Sequence, residues 1–276
     1  MKKFKIKIGP VVVKVVSEKN LNLNRFAQFR TNKKEDYTFL MKNYRYFCVP
    51  PGSKLVSRDF AVKFLEYNSK LIIKPKTGEW GVIKEKNKVS FFSNKTDIEN
   101  IFNKRILAMY LTKKNSFLVH SSGVMFDLHN RKRVVLFVGP CGTGKSTLCK
   151  LFKKSGFNCF SDELNIIIKK NGKFYCYGTP AQSSAKSFSN KKGELAYIFF
   201  IKKSNHNSIQ DIRINSFLNN LLKNSIIPYS FESKAKFIKL VMSCVNSVKA
   251  YTLKFKKDNS VVSFVTNFVT NNSSNL

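Results

Sequence analysis

The chain opens on strict alternation: Phe4, Ile6 and Ile8 are apolar, and the residues between them, Lys5 and Lys7, are charged. A period of two puts these sets on opposite faces of a half-buried strand, and Gly9-Pro10 breaks it before the run VVVKVV. The segments YRYFCV, KLIIK, WGVIK and KVSFF carry the same signature between turn residues such as Pro50-Pro51-Gly52, Pro75, Gly78 and Asn87. A small antiparallel sheet is predicted for this first third. The period then changes. From Thr96, which can form a capping box with Glu99, Ile98, Ile101, Phe102, Ile106 and Met109 fall along one helix face. Past residue 115 strands alternate with helices. The pattern thus predicts a β-rich segment over 1–115 packed on an α/β domain over 116–270, with a polar tail, 271–276, that frays.

One boundary in the α/β region carries chemistry. RVVLFVG (133–139) is a continuous apolar run, as in a strand buried on both faces. KSTLCKLFKKSG (145–156) places Leu148, Leu151 and Phe152 on one helix face and stops at Gly156. Between strand and helix, Gly139, Pro140, Cys141, Gly142, Thr143, Gly144, Lys145, Ser146 and Thr147 fit the phosphate-loop (Walker A) pattern G-x-x-x-x-G-K-[ST]. In that order, backbone N–H groups and the positive end of a helix converge on an anion. Lys145 is then placed to neutralise terminal phosphates, and the Ser146 hydroxyl to ligate Mg2+. FNCFSDEL follows, a short strand ending in Asp162 and Glu163. This pair suits a division of labour, one carboxylate accepting a proton from an attacking hydroxyl and the other holding metal. LVHSSGVMF, ahead of the loop, contains His120, one of 3 histidines.

Taken together, LVHSSGVMF and VVLFVGPCGTGKSTLCKLFKKSGFNCFSDEL resemble the catalytic core of HPr kinase/phosphorylase and its smaller relatives, a P-loop fold shared with ATP-dependent phosphoenolpyruvate carboxykinase. The resemblance implies an α/β P-loop kinase core of that type behind a small β-rich N-terminal segment. By motif it makes Lys145 the phosphate lysine, Ser146 the metal-ligating hydroxyl, His120 the active-site histidine and Asp162 the base that deprotonates a serine hydroxyl. Glu163 and Glu194 are the further metal candidates. ELAYIFFIKK and VNSVKAYTLKF are similar in a looser way, and nothing before residue 115 is. The acidic pair is Asp-Glu where HPr-phosphorylating members have Asp-Asp, and after Arg133 the only arginine is Arg213, which leaves the family's substrate-loop arginine unassigned. The implied reaction uses ATP and Mg2+ to phosphorylate a serine-type hydroxyl of a protein, a peptide or free serine. A nucleotide-binding regulatory protein without phosphotransfer and a nucleic-acid-associated ATPase are the alternatives. HPr kinases assemble as hexamers, so a homo-oligomer is compatible with the resemblance.

Composition adds little to this. Fifty Lys and Arg against 16 Asp and Glu give a formal charge of +34, the sign expected for a polyanionic partner. The lysines are dispersed, however, and no recognition motif accompanies them, so nucleic acid is not the expected partner. They also interrupt every apolar run, leaving no membrane span of ~20 residues and no signal-peptide apolar region. A cytoplasmic protein is expected. The cysteines Cys48, Cys141, Cys149, Cys159, Cys176 and Cys244 form no C-x-x-C pair and no zinc-like cluster, so reduced thiols are expected, with Cys141 filling a variable position of the loop.

Overall fold

A computed structural model describes residues 2–17, 24–42, 47–58, 62–75, 80–93, 104–128, 130–181 and 183–272. The fold is mixed α/β with two large sheets. It divides into two compact units, Met1–Asn103 and Lys104–Leu276.

The first unit contains β1 (Lys2–Ile8), β2 (Val11–Ser17), β3 (Tyr37–Lys42), β4 (Lys54–Arg58), β5 (Val62–Tyr67), β6 (Lys70–Pro75), β7 (Trp80–Glu85) and β8 (Lys88–Ser93). They form one eight-stranded sheet in the order β1-β2-β3-β8-β7-β6-β5-β4. The opening alternation becomes β1, antiparallel to β2, with Ile6 and Ile8 buried. The sheet is larger than predicted and is not wholly antiparallel: β3 runs parallel to both β2 and β8. The connection from β2 to β3 passes through a 3-10 helix, Asn24–Phe29, rather than a hairpin, and a crossover of that kind is what a parallel pair requires. The strands β4 and β5 are not foreshadowed by the pattern. Of YRYFCV, residues 44–46 lie outside the described residues and Phe47–Val49 form no strand. The capping box at Thr96 and Glu99, with Ile98, Ile101 and Phe102, also lies outside them.

The second unit begins with α1 (Lys104–Lys113), which carries Ile106 and Met109. The division thus falls before this helix, not near residue 115. Then come β9 (Ser116–Leu128), β10 (Arg131–Val138), α2 (Lys145–Lys154), β11 (Asn158–Cys159), β12 (Leu164–Lys170), β13 (Lys173–Tyr177), β14 (Lys192–Lys203), β15 (Ser208–Asp211), α3 (Ile214–Lys223), α4 (Phe231–Ser247), β16 (Lys249–Phe255) and α5 (Ser260–Asn271). The end of α5 takes in the first residue of the stretch read as a tail, and 273–276 lie outside the described residues. No helix among the described residues is long and apolar enough to cross a membrane.

The strand order is β10-β9-β12-β13-β14-β16-β15, and β10 also pairs with β14. β10 is therefore hydrogen-bonded on both edges, antiparallel to β9 and parallel to β14. It is also buried on both faces. Val134, Leu136 and Val138 join a core with Phe217 and Leu221 of α3 and Phe237 and Val241 of α4, while Val135 and Phe137 join one with Leu148 and Phe152 of α2 and Val261 and Val265 of α5. Two apolar environments explain why the run at 134–138 is continuous rather than alternating.

The β10–β14 approach needs glycine at 193. A Cβ there would lie 2.8 Å from the Lys132 carbonyl oxygen and 2.7 Å from Val134 Cγ2. Backbone cannot give way as a flexible side chain can, so Gly193→Ala is expected to destabilise the protein by about 1–3 kcal/mol. Urea unfolding checks this, and an unchanged midpoint would show that the two strands separate without cost.

Candidate functional site

The loop between β10 and α2 depends on glycine at two left-handed positions, Gly142 at φ +82° and Gly144 at φ +108°. At Gly144 a Cβ would also fall 2.6 Å from the Phe255 ring. Thr143 Oγ1 donates to the Pro140 carbonyl at 2.8 Å, and Ser122 Oγ on β9 donates to the Lys145 carbonyl at 3.1 Å. No side chain caps α2 and its first turn has no acidic residue. The first N–H groups of a helix have no partner within it, and they stand at its positive end. Lys145 is 6% exposed, and its ammonium donates to the carbonyls of Gly139 at 2.7 Å and Pro140 at 2.9 Å. Burial lowers its pKa, against the raising influence of nearby negative groups including Glu163.

The acidic pair reaches the same end of the sheet through strand register. β12 pairs with β9 so that Leu164 lies opposite His120, which puts Asp162 and Glu163 beside the histidine. His120 Nε2 is 3.3 Å from Glu163 Oε2, and Lys104 Nζ is 3.1 Å from Glu163 Oε1. The hydrogen bond from His120, helped by Lys104, outweighs burial and holds the Glu163 carboxyl at about 2. An ionised carboxylate only accepts, so Nε2 carries a hydrogen, and in the neutral ring Nδ1 is then the nitrogen with the lone pair.

Asp162 is placed differently. It is buried, Oδ1 accepts the N–H groups of Ser183 at 2.9 Å and Ser187 at 3.3 Å, and Oδ2 accepts that of Ala185 at 2.7 Å. Both oxygens of the expected base are thus engaged in holding the segment 183–187. A cavity of about 310 Å³ brings the groups together: His120, Lys145, Ser146, Asp162, Glu163 and Ser183 line it, along with Lys203 and Lys257.

Glu194 does not belong to this group. It stands near the start of β14, opposite Arg133 toward the far end of β10, and there its Oε1 pairs with Arg133 Nη1 at 2.8 Å and Lys173 Nζ at 3.2 Å. The strand from Arg133 to Val138 separates it from the loop by about 16 Å at the usual rise per residue. Its expected role as a metal ligand is therefore corrected to an ion pair, and Ser146 and Glu163 remain the metal candidates at the cavity. Among the described residues, no three His, Cys, Asp or Glu side chains gather as a metal-binding group.

No protein-family model and no curated protein matches the chain. The HPr(Ser) kinase/phosphatase structure from Coxiella burnetii is similar over 45% of this chain and 93% of its own, at 13% identity and a TM-score of 0.24. A likeness at that level assigns neither activity nor substrate.

Several residues of the site had no motif to announce them, Ser183, Lys104, Lys203 and Lys257 among them. Asn165 is the most consequential. Fully buried on β12, its side-chain amide donates to Ser121 O at 2.8 Å, Ser121 Oγ at 3.1 Å and Ser161 O at 3.0 Å, and its Oδ1 accepts the Ser161 N–H at 3.3 Å. Ser161 Oγ in turn accepts the N–H groups of Glu163 at 3.2 Å and Leu164 at 3.0 Å. The one available signal is a polar residue inside the apolar run LNIII.

Two outcomes follow. Asn165→Asp, isosteric but unable to donate, is expected to cost about 3 kcal/mol in denaturant unfolding, because two buried carbonyls lose their donor to a carboxylate. Because the Glu163 pKa is depressed in the folded state, its stabilisation is fully present above the ordinary value of 4.5 and is lost as pH falls through about 2. Glu163→Gln is expected to flatten the stability profile in that window. Superimposable acid limbs for the two proteins would rule the linkage out.

Proposed function

We propose that the protein is an ATP- and Mg2+-dependent kinase that transfers the γ-phosphoryl group to a serine-type hydroxyl. One observation carries the reading: the glycine loop with Lys145 and the His120–Glu163 pair line the same cavity. The loop fits a polyphosphate because two glycines hold it in left-handed turns and the uncapped first turn of α2 leaves N–H groups free of helical partners. Mg2+, when bound, supplies charge neutralisation for the transferring group, and Ser146 and Glu163 are the residues to hold it.

The rest of the work falls to the chain's own groups. Lys145, freed from the Gly139 and Pro140 carbonyls, balances negative charge on the terminal phosphates. The proton of the attacking hydroxyl goes to His120 Nδ1. With Nε2 bonded to Glu163, Nδ1 of the neutral ring is an acceptor, whereas Glu163 is held too acidic and the oxygens of Asp162 are committed to three N–H groups. Glu163 keeps the imidazole in the required tautomer, and Asp162 fixes the segment that forms one wall. This assigns the proton to His120 in place of Asp162, the base implied by the family resemblance.

Incubation with γ-labelled ATP, Mg2+ and a panel of free serine, HPr and serine peptides tests the assignment. His120→Ala is expected to lose at least about 100-fold in transfer, the scale of general base catalysis, while still binding nucleotide in a fluorescence titration. Lys145→Ala is expected to lose nucleotide affinity. If Asp162→Asn abolishes transfer while His120→Ala retains it, Asp162 is the base after all. Bound nucleotide with no transfer in any mixture favours a regulatory protein, and release of free phosphate alone favours an ATPase.

A further inference from the structure

We propose that Ser183 is itself a phosphoryl acceptor, so that the site modifies its own wall. The inference rests on the kinase reading above and adds a substrate to it. Ser183 Oγ lies 3.5 Å from Ser146 Oγ, the hydroxyl at the start of α2, and the residue lines the cavity with His120 and Lys145. It is held there from two sides. Its N–H is bound by Asp162 Oδ1 at 2.9 Å, and its carbonyl accepts the Lys186 N–H at 3.0 Å across a turn in which Lys186 takes φ +49°. The neighbouring serines are not equivalent: Ser187 and Ser189 are buried, and Ser184, though exposed, does not line the cavity.

The step balances without a further reactant. Ser183 Oγ bonds to the γ-phosphorus as the bond from that phosphorus to its bridging oxygen breaks. ADP leaves with the electron pair, and the hydroxyl proton passes to His120 Nδ1. Holding the acceptor on a fixed loop removes the entropy of bringing it to the donor. The product is a phosphoserine dianion in a cavity lined by Lys145, Lys203 and Lys257, which suits the new charge. Occupying that space, it opposes the binding of a second nucleotide.

The full chain is incubated with ATP and Mg2+, and the modified residue is located by mass spectrometry. One phosphoryl group on Ser183 is expected, appearing at a rate independent of protein concentration, lost in Ser183→Ala and kept in Ser184→Ala. In the absence of any reaction, Ser183→Glu is expected to bind nucleotide more weakly than Ser183→Ala. If an added hydroxyl compound is phosphorylated but Ser183 is not, the inference fails and the kinase reading stands. If ATP binds and no acceptor is labelled, both fail. Label on another residue, a rate that rises with protein concentration, or equal nucleotide affinity in the two Ser183 variants would each overturn the assignment.

Discussion

The buried Asp162 carboxylate, accepting three backbone N–H groups from residues 183–187, is the interaction on which the shape of the site depends. Irregular backbone near a sheet must place its donors somewhere, and a charged acceptor satisfies three at once with stronger bonds than neutral groups provide. Asp162 can do this only if its own backbone is fixed. Ser161 Oγ caps the following N–H groups, and Asn165 binds Ser161 from both its donor and acceptor sides. A line of constraint thus runs from strand register through one buried amide to one carboxylate and then to the wall of the cavity.

The two adjacent carboxylates divide by environment. Asp162 faces inward to backbone donors, while Glu163 faces His120 and Lys104. Sequence neighbours leaving an irregular turn point in different directions, and here the directions set the chemistry: one group orders a loop and the other fixes a tautomer. The charges at the cavity are held in place by protein contacts.

What was legible in the sequence was local. The continuous run before Gly139 is β10 and the amphipathic stretch after the glycine loop is α2, whereas the short strand expected to end in Asp162 and Glu163 stops at Cys159 and leaves the acidic pair in irregular backbone. Non-local pairing was hidden. Glu194 lies on β14, a strand that reaches the cavity through Lys203, yet the parallel register with β10 puts it at the opposite end. The first sheet looked antiparallel because alternation marks strands but not their direction, and β3 lies parallel to both its neighbours. Asn165 and Ser183 are ordinary residues in sequence terms. Their importance arises from which backbone groups they meet, and that is a property of the assembled fold.

The approach of Gly144 to Phe255 bears on the order of assembly. The glycine loop belongs to the middle of the chain, while the ring packed against it comes from β16, which aligns with β14 through Phe255 opposite Lys203. During synthesis the loop leaves the ribosome long before its neighbour does. Contacts across so many residues form late and carry a loop-closure cost. The nascent chain therefore holds a strand, a loop and a helix without the ring they lean on, and the loop gains that neighbour only when β16 docks.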